Sequence, residues 1–210
     1  DIPAFNGNVL LQGYYQSFKY FYPFKKEICE LIMLNEKQEE VKNKYENFFY
    51  KENHKSKNIS MHFRLGDYKK LSDYHPILPF NYYLNAIQYI YDSGIDDSRV
   101  LYFCEEEDVI FIEPQIIELK KKFPNYQFIR VPESIPDWEQ MLMMSLCDIN
   151  IIANSSFSLF GAYLNRNSIF LNNDSINNHI VIYPSVWFGP ALQTYDLKDL
   201  YFHNWKKIEI

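Results

Sequence analysis

Arginine is scarce in this chain. Four occur, Arg64, Arg99, Arg130 and Arg166, against 17 lysines. An A+T-rich coding bias accounts for most of that imbalance. It also makes each retained arginine mildly informative, because only a guanidinium offers a planar bidentate fork. Positive charge is short overall: 21 Lys and Arg face 27 Asp and Glu, for a formal net charge of −6. Duplex-wrapping proteins carry a basic face, so the balance argues against a nucleic-acid partner, but not against a basic pocket for a small anion. Cysteine is limited to Cys29, Cys104 and Cys147, far apart and without C-x-x-C or Cys/His spacing. That argues against a zinc module and a disulfide framework. No apolar run approaches the ~18 residues of a membrane span, and the segment from Asp1 has no leader pattern. Together these absences favour a cytoplasmic setting. D-x-D is missing as well, so a metal-bridged nucleotide site of the usual kind is unsupported and no metal is expected.

The 210 residues are 47% apolar and 18% aromatic, enough for a buried core and for one domain or one domain plus part of another. Residues 1–22 are aromatic-rich and read as a strand and a packed loop. Residues 24–50 read as helical, with apolar side chains at spacings of three and four around a solvated charge run. The polar HKSKN at 54–58 marks a boundary. Strands are then expected at 58–65, 99–104, 126–131, 149–153 and 168–171. Helices are expected at 80–92, 108–123, 137–147 and 156–165, with Pro114 early in the second or breaking it. This alternation predicts an α/β fold: a Rossmann-like parallel sheet with helices on both faces. In such sheets ligands bind beyond the carboxyl ends of the strands.

Two segments stand where that rule looks. MHFRLGDY (61–68) closes a strand and should turn His62 and Arg64 to one face. Gly66 allows close backbone approach, and Asp67 can hold the guanidinium. The unit suits a diphosphate, gripped bidentately by Arg64 with His62 as a nearby donor; an ordinary strand with a surface Arg–Asp pair is the alternative. CDINIIANSSFSLFGAYLN (147–165) runs a buried strand through Asn154, Ser155 and Ser156 into a helix. Free N–H groups and hydroxyls at a helix start make an anion site, although Ser and Asn favour that position as plain N-caps. Asn154-Ser155-Ser156 is also a glycosylation sequon, in a setting too buried for that use. A third segment, CEEEDV (104–109), places four acids before a helix and is read as favouring its dipole.

Taken together, these segments resemble the α-1,2-fucosyltransferases of glycosyltransferase family 11. Its H-x-R-x-G-D-Y signature matches His62, Arg64, Gly66, Asp67 and Tyr68. Its distal N-S-[ST]-F-S-W-W-G-A-[YW]-L matches Asn154 to Ser158 and then Gly161 to Leu164. GYYQSFKYF (13–21), WFGP (187–190) and NWKKI (204–208) are similar as well. The resemblance implies a GT-B-like architecture whose first, acceptor-side domain is largely missing. Residues 1–57 would be its mostly helical remnant, and residues 58–210 the donor-binding domain. It implies an inverting, metal-independent transfer of L-fucose from GDP-β-L-fucose to a glycan hydroxyl in α-1,2 linkage. Arg64 would bind the diphosphate and stabilise departing GDP, and His62 would contact the nucleotide. Gly66 and Tyr68 belong to the same donor-binding signature as these two. Asn154, Ser155, Ser156 and Phe157 would line the phosphate and nucleoside pocket. Asp67 would position Arg64, with base catalysis as a further role, and His75 is a second base candidate. The family's Gly-rich G-G-L-G-N-Q opening is absent, the W-W pair is Leu159-Phe160, and Gln140 stands where an acid would read guanine, with Glu139 beside it as a substitute. Gln140 motivates an alternative, a transferase using another nucleotide sugar. The missing domain motivates another, a catalytically incomplete nucleotide- or glycan-binding domain.

Overall fold

The computed structural model describes residues 7, 8, 10, 12, 13, 15–49, 56–168 and 179–210. Strands β1 (Lys57–His62), β2 (Ser98–Phe103), β3 (Tyr126–Arg130), β4 (Ile149–Ile151), β5 (Ile180–Pro184) and β6 (Lys206–Ile208) form one sheet. Their order is β3-β2-β1-β4-β5-β6, and every pairing is parallel. This is the doubly wound Rossmann order, which reverses direction between β1 and β4.

The strands alternate faces, and each face has its own helices. Val100 and Tyr102 of β2, with Ile59 and Met61 of β1, pack against α4 (Phe80–Asp92) and α5 (Val109–Lys122). Leu101 and Phe103 face the other way, onto α2 (Leu34–Lys44) and α6 (Asp137–Ser145). A third cluster on that second side joins α7 (Ser156–Tyr163) to Trp187, Phe202 and Trp205. Helix α4 stops at Ser93-Gly94, where Gly94 takes φ +83°. Helix α5 runs through Pro114.

Several expectations are corrected. Residues 24–50 are not one helical stretch. They form α1 (Lys25–Leu31), α2 and α3 (Glu46–Phe49), broken at Met33, whose backbone is left-handed at φ 53°. The charge run is not wholly a solvated face: Gln38 within it is fully buried and donates to Ser145 Oγ at 2.8 Å and to the Leu164 carbonyl at 2.9 Å. Among the described residues before Lys25 there is no strand. Short 3-10 turns occupy Phe18–Tyr20 and Tyr22–Phe24 instead. The strand expected at 168–171 lies outside the described residues beyond Ser168. Strands β5 and β6 had not been anticipated. Strand β1 ends at His62, so Arg64 belongs to the loop that follows.

Candidate active site

The order reversal splits the sheet's carboxyl edge between β1 and β4, and both anticipated segments leave the sheet there. The ladder's last carbonyls need partners where the strands diverge. Two buried tyrosines of α4 supply them. Tyr82 donates to the carbonyls of Ile152, at 2.6 Å, and Ile182, at 3.2 Å, and Tyr83 donates to that of His62 at 3.2 Å. The crevice therefore has a rigid floor.

On the β1 side, Gly66 takes φ +33°, a conformation that disfavours any side chain. Its N–H donates to Asp108 Oδ2 at 2.8 Å. Asp108 is fully buried, and its other oxygen is paired with Lys69. The turn is so fixed that Arg64 reaches Asp67 and Glu105, each at 2.5 Å. Its guanidinium carbon lies 5.1 Å from the Tyr68 ring centroid. His62 is buried, its Nδ1 has no partner, and its pKa is pushed down to about 3 by burial first and by the Arg64 charge second. It is therefore neutral at physiological pH. His75 stacks on Tyr68 at 4.7 Å between ring centroids, and burial lowers its pKa too.

On the β4 side, Ser155 is the N-cap of α7: its hydroxyl accepts the Phe157 N–H at 3.4 Å. Ser156 is exposed in the first turn, and Phe157 lies with its ring centroid 5.4 Å from that of His62. Asn154 is fully buried, which closes the sequon to glycosylation. Its Nδ2 donates to the carbonyls of Pro76 and Trp187, at 2.9 and 3.2 Å, while its Oδ1 has no partner. Tyr68 Oη donates to the Asn154 carbonyl at 3.0 Å, tying the two segments together. The WFGP segment closes one flank. Gly189 donates to the Tyr74 carbonyl at 2.8 Å, and a Cβ there would collide with the Asp73 backbone. That contact brings Phe188 to 5.6 Å from the His75 ring.

His62, Arg64, Gly66, Asp67, Tyr68, His75, Asn154, Ser155, Ser156 and Phe157 thus form one continuous constellation. It offers a guanidinium, a helix N-terminus and two unpartnered buried polar atoms, His62 Nδ1 and Asn154 Oδ1. Oriented donors of this kind stabilise a developing phosphate charge. Glu139 and Gln140 are engaged elsewhere. Glu139 accepts from Lys44 Nζ at 2.8 and 3.0 Å and from Tyr45 Oη at 2.5 Å, binding α2 to α6. Gln140 Nε2 donates to the Ile135 carbonyl at 2.8 Å.

Sequence reasoning passed over Glu105 and Asp108, crediting them only to a helix dipole. Only the register decides it: His62 pairs with Phe103 across β1 and β2, so two residues further on Arg64 and Glu105 meet, and no local pattern in the sequence signals it. Among the described residues no group of three His, Cys, Asp or Glu side chains is placed to hold a metal ion. None of their helices is long and apolar enough to cross a membrane. A concavity of about 720 Å³ opens at the opposite edge, lined by Lys57, Ile149, Ile180 and Lys206, where four strands begin.

Comparison with known proteins gives the family. The family model described as Glycosyl transferase family 11 matches residues 5–181. The chain is 33% identical over 133 residues to the O-antigen biosynthesis glycosyltransferase WbnK of Escherichia coli, covering 62% of this chain and 39% of that protein. It is 25% identical over 191 residues to an Alpha-1,2-colitosyltransferase of Escherichia coli, covering 88% of this chain and 58% of that protein. The chain thus spans 39% and 58% of the lengths of these two curated relatives. No solved structure matches it.

Proposed function

The chain belongs to glycosyl transferase family 11, and from that premise we propose that it binds GDP-β-L-fucose and serves transfer of the fucosyl group to a glycan hydroxyl in α-1,2 linkage. In this reading transfer inverts the anomeric centre and needs no metal. Arg64 grips the diphosphate, and the α7 N-terminus with Ser155 and Ser156 takes the remaining phosphate charge. Neutral His62 and Phe157 receive the nucleoside. Asp67 orients Arg64, and His75, with its lowered pKa, is free to accept a proton from the acceptor hydroxyl. In this reading residues 58–210 are the donor-binding domain and residues 1–57 what the chain carries of the acceptor-side domain, with α2 packed on the donor sheet's second face.

One observation carries the reading: Arg64 and the start of α7 leave adjacent strands at the order reversal and are tied by the Tyr68–Asn154 hydrogen bond. A second reading, a colitosyl donor, is favoured by the name of the relative aligned over 88% of this chain. Calorimetric titration with GDP, UDP and ADP, with and without EDTA, tests the proposal. GDP should bind best, and EDTA should change nothing. A preference for UDP sinks the guanine donor, and binding abolished by EDTA sinks the metal-free scheme.

A further inference from the structure

The fork that a diphosphate needs is already occupied. Arg64 Nη1 donates to Glu105 and Nη2 to Asp67. Glu105 is not there by chance: a Cβ on residue 66 would lie 2.7 Å from both Glu105 carboxylate oxygens. The bare Gly66 backbone is what leaves room for that carboxylate. The surroundings are acidic. Glu105 is faced by Arg64, Asp67 and Lys69 from the segment after β1, by Glu106, Glu107 and Asp108 beside it, and by Arg130 and Glu133 at the end of β3. Counting Glu105 itself, three cations stand among six carboxylates. An incoming anion meets a surplus of negative charge, and Glu105 shares with Asp67 direct contact with the guanidinium.

Building on the reading of Arg64 as the diphosphate ligand, we propose that Glu105 is an internal competitor for that guanidinium, a positioning residue that extends Arg64 in the free chain, yields Nη1 to a phosphate oxygen and takes up a proton from solvent as it does so. Only an O–H bond forms in this step. In the free chain the carboxylate is held ionised opposite Arg64, although burial already pushes its pKa up. In the complex it loses that partner and gains a negative neighbour, so its pKa rises further. Binding coupled to proton uptake tightens as pH falls.

The test compares the 210-residue chain with Glu105→Gln, using a GDP-sugar as probe. Each of its phosphates carries one ester and one anhydride bond, so each keeps its single charge between pH 7.5 and 5.5. Gln keeps an acceptor for Nη1 and removes the charge. Removing one like charge about 5 Å from a phosphate at a solvated site should tighten binding about tenfold at pH 7.5. The unmodified chain should gain affinity on going to pH 5.5, and the Gln variant should gain less. His62 and His75 are present in both proteins, so the difference belongs to Glu105. Unfolding temperature, measured alongside, should barely differ. Binding by both proteins with equal or weaker affinity in the variant, or with the same pH slope, overturns the competitor role alone. No binding by either overturns the donor-site reading, and this inference with it.

Discussion

Two buried histidines should make this protein acid-sensitive well above the carboxylate range. His62 has its pKa lowered to about 3, and His179 to about 4. Burial is the first cause in both. Arg64 adds to it at His62, and Asp148 partly offsets it at His179. Each group binds its proton more weakly when folded than when unfolded, where its pKa is ~6.5. The stability is therefore complete above pH 6.5 and is lost as pH falls from there towards 3–4. At pH 5 the unfolded imidazoles are almost fully charged and the folded ones almost fully neutral. That costs about 2 kcal/mol per histidine, or about 4 kcal/mol for the pair, a large share of a typical ~5–15 kcal/mol. At roughly 2–4 °C per kcal/mol for a chain this size, the unfolding temperature should drop by about 10 °C between pH 7.5 and pH 5. Glu139, whose pKa is lowered by Lys44 and Tyr45 against the opposing effect of burial, acts only below its ordinary value and so outside this window. Thermal unfolding followed by circular dichroism checks the shift. His179→Gln keeps a donor for Asn150 Oδ1, which lies 2.6 Å from His179 Nε2, and should remove about 2 kcal/mol of the pH dependence. Equal stability at both pH values, or an unchanged slope in His179→Gln, would refute the reasoning.

Arg64→Lys keeps the charge and loses the fork, so it should reduce transfer or donor binding by ~10²–10³. The unfolding temperature should hardly move, because Arg64 is partly exposed at a strand end; equal losses of both would mark it as structural. Gln140→Glu sets a carboxylate against the Ile135 carbonyl and should cost about 1–3 kcal/mol at pH 7.5. The stability should return as pH falls, because the protonated acid can donate again; denaturant midpoints at two pH values show this. A larger GDP-over-UDP preference in the same variant would mark residue 140 as facing the base, and no change would remove it from the pocket.

The alternation of strand and helix between residues 58 and 165 was legible because most elements there are long enough to show their period. Helix α4 is amphipathic over 13 residues and is stopped by Ser93-Gly94, so local chemistry settled both ends. The two chemical segments were legible for the same reason: HFRLGDY and NSSF place polar groups directly after apolar strands. Strand β6 could not be read, since three residues with two exposed lysines show no alternation. The break at Met33 hides within the apolar run LIML, which carries none of the Gly, Asn or Asp that usually marks a left-handed backbone. The strand order was beyond local pattern as well. Nothing in residues 131–148 says that the chain recrosses to pair β4 with β1 rather than with β3. That choice alone sets Arg64 beside Asn154. The pairing of β2 with β1 sets Glu105 against Arg64, and the packing of α2 on α6 spends Glu139 on Lys44 and Tyr45. A sequence lists which charges exist, whereas partners across a sheet are fixed by register, a property of strands brought together from distant parts of the chain.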